Sequence, residues 1–129
     1  MQRRIVLPAV ALAAFALIGC VTATTPQSDG GNVALGQKAY VDGPIIQPVE
    51  VLEDSRCPMN ARCIWAGRVR LKMLWLRPGG NESFELTLGE PKSLADGSIT
   101  LESVHPETRT DVTIKPEGYR FSFRFDGGL

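Results

Sequence analysis

The stretch that most constrains the fold lies near the C-terminus, where Tyr119, Phe121, Phe123 and Phe125 alternate with Arg120, Ser122, Arg124 and Asp126. Successive side chains of a β-strand point to opposite faces, so this spacing puts four aromatic rings on one side and polar groups on the other. The same period of two runs through Val69, Leu71, Met73 and Trp75, interleaved with Arg68, Arg70 and Lys72. Leu74 and Leu76 break it, which predicts a strand end that is bulged or covered on both faces. Phe84, Leu86 and Leu88 alternate with Ser83, Glu85 and Thr87, and Pro78-Gly79-Gly80-Asn81 supplies the turn before them, so residues 68 to 88 read as a hairpin.

Shorter segments at 34–41, 48–52, 99–104 and 111–115 also read as strands. The last is joined to the aromatic strand by a turn at Pro116-Glu117-Gly118, and Asp96-Gly97-Ser98 marks another turn. No segment after the first thirty residues carries a capped helical stripe. The expectation is an all-β domain, a small antiparallel sandwich or barrel of six or seven strands.

The first thirty residues read differently. MQRR precedes fifteen residues without a charge, IVLPAVALAAFALIG, the basic and apolar regions of an export signal. As a helix the run would span roughly 22 Å, short of the roughly 30 Å hydrocarbon core. It ends in Leu17-Ile18-Gly19-Cys20, which resembles the lipobox of bacterial lipoproteins: a branched apolar residue three before the cysteine and a small residue just before it. The resemblance implies cleavage after residue 19 and a diacylglyceryl thioether on Cys20, with the new amino group acylated as well. Two or three acyl chains hold a protein on a membrane persistently. Val21 follows Cys20 where an aspartate would imply inner-membrane retention, so the same resemblance implies the outer membrane, facing the periplasm.

Residues 20–32 are small and polar and read as a lipidated, flexible tether, which leaves 33–129 as the domain. The chain has 14 basic and 14 acidic residues; without Arg3 and Arg4 of the signal, 12 basic residues face 14 acidic ones. The basic residues are spread among the acids, which gives nucleic acid binding no electrostatic support.

With Cys20 assigned to lipid, Cys57 and Cys63 remain as an even pair in an oxidising compartment. A bond between them closes a seven-residue loop and contributes about 2 kcal/mol on a chain-entropy account. Around them, Asp54-Ser55-Arg56-Cys57-Pro58, four residues, then Cys63-Ile64-Trp65-Ala66-Gly67 resembles a D-S-R-C-P…C-x-W-A-G signature of small bacterial secreted and lipoprotein domains to which no activity is attached. It implies a shared fold element. In that element Pro58 stiffens the loop, Asp54 bonds loop N–H groups or pairs with Arg56, Trp65 lies over the disulfide as a cap on the core, and Gly67 permits a tight re-entry into the next strand.

Three functional readings compete with this clasp. A redox pair calls for Cys-x-x-Cys opening a helix, which the spacing lacks. A soft-metal site could gather Cys57, Cys63, Met59 or Met73, and His105, although the chain has one histidine. A constrained inhibitory loop could present Arg62 to a protease.

Ser103, His105 and Asp111 could form a hydrolytic set, but no nucleophile elbow accompanies them, and no zinc-helix, phosphate-loop or dinucleotide motif is present. The sequence therefore favours a lipid-anchored envelope protein with a non-catalytic binding or structural domain. It needs no cofactor and no metal, and its partner contacts are expected at Met59, Asn60 and Arg62. The alternative is a small hydrolase or metal-binding protein using His105.

Overall fold

Period-two spacing becomes two antiparallel sheets. The computed structural model describes Gly19 and residues 29–127. The signal peptide other than Gly19, and residues 20–28 with Cys20, lie outside the described residues. One sheet holds β1 (Ala39–Tyr40), β2 (Ile45–Asp54), β3 (Val69–Leu76) and β4 (Glu82–Thr87) in that order. The other holds β5 (Lys92–Leu94), β6 (Gly97–His105) and β7 (Arg120–Gly127), also in chain order. Seven strands in an all-β fold is the expected class.

The inward faces are those that alternation marks. Val69, Leu71 and Met73 of β3 are fully buried against Ile46 of β2 and Leu86 of β4, while β7 contributes Phe121, Phe123 and Phe125. The Tyr119 and Phe121 rings stack 5.7 Å apart and 8° from parallel, and the Phe123 ring follows at 6.3 Å from Phe121. β3 and β4 pair in unbroken register from Arg70↔Thr87 to Trp75↔Glu82. Leu74, Trp75 and Leu76 are half-buried there, so the end of β3 is partly covered on both faces, with the Arg77 guanidinium 4.5 Å from the Trp75 ring.

Bulges decide which residues escape alternation. The β2–β3 register shifts between Pro48 and Glu50 and again between Val51 and Glu53, which leaves Val49 and Leu52 as the extra residues and exposes both. A third shift, between Leu101 and Ser103 of β6, turns Val104 into the core and leaves Ser103 and His105 toward the surface.

Three expectations are corrected. Residues 111–115 form no strand: Val112 N–H donates to the Arg109 carbonyl at 3.3 Å in a tight turn, Val112 is exposed, and a 3-10 turn at Pro116–Gly118 leads into β7. Pro116-Glu117-Gly118 is therefore not a hairpin turn. The domain also begins before residue 33, because Phe123 N–H donates to the Gly30 carbonyl at 2.7 Å and Val33 pairs with Phe121, making a short extra ribbon along β7. β5 leaves no mark in the sequence, because three residues carry no period.

Thr100 is 6% exposed and its hydroxyl has no hydrogen-bond partner among the described residues. Burying an unpaired hydroxyl is costly, so Thr100→Val is expected to raise the unfolding free energy by about 1 kcal/mol in urea denaturation. A loss of stability would show that the hydroxyl is satisfied.

Candidate functional site

The Cys57–Cys63 loop leaves the end of β2 and returns to β3. The two cysteines are disulfide-bonded with Cα atoms 5.8 Å apart. At the loop base, Ser55 N–H donates to the Arg68 carbonyl at 2.8 Å and Arg68 N–H donates to Ser55 Oγ at 3.0 Å, closing the strand ends. Gly67 has φ +69°, and a Cβ there would overlap the Ser55 carbonyl oxygen and stand 3.0 Å from Arg56 Cα. The tight re-entry therefore needs glycine on two independent counts.

Beneath the loop lies a clasp between the sheets. Arg56 donates through Nε to Asp54 Oδ1 and through Nη2 to Asp54 Oδ2, both at 2.8 Å, and its Nη1 donates to the Val104 carbonyl of β6 at 3.0 Å. The Tyr119 hydroxyl donates to Asp54 Oδ2 at 2.9 Å. The Arg56 and Asp54 side chains are 15% and 9% exposed, so the pair is well removed from solvent.

Burial by itself would raise the Asp54 carboxyl, but the hydrogen bonds from Arg56 and Tyr119 and the Arg56 charge outweigh it and hold the group below its ordinary 3.8. The hydrogen bond to Asp54 outweighs burial at Arg56 and keeps its guanidinium above the ordinary value. Burial, and then the bond to Asp54, push the Tyr119 phenol up to about 12.

A second set of bonds pins the loop to the connection after β6. Met59 N–H donates to the Thr108 carbonyl at 2.8 Å, and Thr108 Oγ1 donates to the Cys57 carbonyl at 3.3 Å. Asn60 Nδ2 donates to Thr110 Oγ1 at 2.8 Å and Asn60 Oδ1 accepts from Thr110 N–H at 3.1 Å. Asn60 is thus a fastening, and it stays exposed beside Met59. Pro58 opens a turn in which its carbonyl accepts from Ala61 N–H at 3.0 Å. Arg62 is exposed and makes no hydrogen bond or ion pair among the described residues.

Trp65 corrects the sequence reading most sharply. It does not cap the core: it is 70% exposed, and Ile64 beside it is 95% exposed. The loop is fastened at Ser55–Arg68 and across the disulfide, and every residue of the span from Cys63 to Gly67 is exposed. Met59 adds a third large apolar side chain, 55% exposed.

Next to the loop an open depression of about 380 Å³ is lined by Arg56, Cys57, Met59, Ser103, His105 and Thr108, with Val104 and Glu107 completing it. It gathers Ser103 and His105 but not Asp111. No hydrogen bond joins His105 to Ser103 or Glu107 among the described residues, so no nucleophile is paired with a base. Of the soft-metal set, Cys57 and Cys63 are consumed by the disulfide and Met73 is fully buried, which leaves Met59 and His105 on the depression. No group of three or more His, Cys, Asp or Glu side chains able to hold a metal occurs among the described residues.

Sequence reasoning missed Tyr119, Thr108 and Ile64. A tyrosine heading a run of phenylalanines was the available signal, since a buried phenol needs a partner. Thr108 and Thr110 are fifty residues from the loop and carried no such mark. Comparisons with family models, curated proteins and solved structures found no match to this chain.

Proposed function

We propose that this chain is a lipid-anchored cell-envelope protein, exported by residues 1–19 and held by lipid on Cys20 at the outer membrane, facing the periplasm. Its β domain serves as a non-catalytic binding or structural module. The observation that carries the binding role is the exposure of Ile64 and Trp65 on the span that follows the disulfide, together with exposed Met59 and Arg62 of the disulfide loop. Large apolar side chains left in solvent on the short span between the disulfide and Gly67 are available to a partner, and tryptophan and arginine are common anchors of interfaces. The Cys57–Cys63 disulfide supports export, since such bonds persist in oxidising compartments.

Growth with a clickable palmitate analogue should label the wild-type protein and leave Cys20→Ala unlabelled and released from membranes. Label that persists in the mutant overturns the anchor. Cys57→Ala with Cys63→Ala is expected to lower the unfolding free energy by about 2 kcal/mol without changing membrane attachment, measured by denaturation and fractionation.

A second reading, a small hydrolase or metal-binding protein, is favoured by one observation: the depression that brings together Ser103, His105, Glu107, Thr108 and Met59. A copper- or zinc-dependent rise in melting temperature, or ester turnover, that disappears in His105→Ala would establish it over the binding module.

A further inference from the structure

Ile64 and Trp65 together present roughly 350 Å² of surface to water on a loop that the fold does not cover. Two copies meeting through this tip would bury on the order of 700 Å², below the roughly 1,200 Å² at which stable protein–protein interfaces begin. The tip is therefore too small to hold a second copy by itself. Residues 57–67 contain one charge, Arg62, and no acid, which suits an anionic surface.

Its composition is that of a bilayer interface. Tryptophan concentrates at the headgroup level because its ring is apolar and its N–H stays wet, an adjacent isoleucine reaches further into the acyl region, and an arginine binds headgroup phosphates. A single tryptophan–isoleucine pair binds membranes weakly from solution. Attached to the same bilayer by lipid, it binds at high effective concentration, where a weak contact suffices.

The chain length permits this. Gly30 lies level with Phe123, and Tyr119, which marks the loop end of the domain through its bond to Asp54, is four residues along, roughly 13 Å. The nine residue steps from Cys20 to Asp29 reach up to about 30 Å, which leaves roughly 17 Å of reach beyond Tyr119 toward the tip.

We propose that Ile64 and Trp65 form a membrane-contacting tip that lays the domain against the bilayer bearing the lipid on Cys20, with Arg62 at the headgroups. This rests on the lipid-anchor reading, so its test supplies the anchor chemically. With Cys57 and Cys63 bonded, Cys20 is the one free thiol of the three cysteines, and the mature chain from Cys20 can be coupled to a maleimide lipid in phosphatidylethanolamine–phosphatidylglycerol vesicles.

The chain has two tryptophans, Trp65 and half-buried Trp75, so wild type and Trp65→Phe are compared with lipids brominated high on the acyl chain. The expected result is a blue shift and loss of on the order of half the wild-type emission, absent from Trp65→Phe and weakened in Ile64→Ser. Equal quenching of wild type and Trp65→Phe would place another face on the bilayer and overturn the proposal. An unquenched Trp65 would overturn it too, in favour of a protein partner, or of a second copy if the coupled chains cross-link through residue 65. Because the anchor is made by hand, failure of palmitate labelling in cells would remove the natural lipid without altering this outcome.

Discussion

Gly67→Ala is expected to destabilise the domain by about 3 kcal/mol. A left-handed backbone costs an L-residue roughly 1–2 kcal/mol, and crowding a packed site adds about 1–3 kcal/mol. Both apply at Gly67, whose φ is +69° and whose missing Cβ would overlap the Ser55 carbonyl. The backbone cannot retreat easily, because Ser55 and Arg68 are joined by reciprocal hydrogen bonds at the mouth of the loop. Gly79→Ala is the control: nothing lies within 4 Å of its Cβ position, and a change within about 0.5 kcal/mol is expected. Urea denaturation of both variants decides the point, and equal midpoints would show that the loop accommodates a side chain at 67.

Arg56→Met is expected to cost about 3–5 kcal/mol, since it strands the Asp54 carboxylate between the sheets with only the Tyr119 hydroxyl and the long bond from the residue-56 N–H, 3.5 Å, to satisfy it. The double variant Asp54→Leu with Arg56→Met should lose less than Arg56→Met alone, because no charge is then left unpaired. A loss under about 1 kcal/mol for the single change would mark the pair as no stronger than a surface ion pair.

Acid and alkali probe the same clasp from opposite sides. The Asp54 carboxyl is held below its ordinary 3.8, so its contribution is complete above that pH and is lost as pH falls through the depressed folded value. Asp54→Asn should flatten this acid limb. The Tyr119 phenol is raised from 10.0 to about 12, so its contribution is complete below pH 10 and is lost between pH 10 and about 12. Tyr119→Phe should flatten the alkaline limb and shrink the acid limb without abolishing it, since it removes one of the bonds that lower Asp54 and leaves those from Arg56, read from denaturation midpoints across pH.

Much of the architecture was legible because alternation is a local property. Residues 69–73 and 119–125 alternate strictly, and each buries the face so marked. The 111–115 segment also alternates, with Val112 and Ile114 apolar, yet Thr108 and Thr110 are bonded to the disulfide loop and Arg109 folds onto Val112. Tertiary fastening overrode a weak local preference there. In β2 and β6, single bulged residues reversed the faces that spacing alone would assign.

The candidate site divides the same way. Pairing of Cys57 with Cys63, the Asp54–Arg56 contact and the need for glycine at 67 follow from residues close in sequence, whose options are few over so short a span. Tryptophan is usually buried, so the sequence alone points to Trp65 as a core cap; its position depends on where the loop is fastened, and those fastenings involve Thr108, Thr110 and the Val104 carbonyl, some fifty residues away. The sequence by itself determined the strand faces and the covalent loop, since both are set by neighbours along the chain. Only the tertiary structure decided that the loop bridges two sheets through Asp54, Arg56 and Tyr119 and that its apolar tip faces water, because burial depends on which distant segments arrive to cover a side chain.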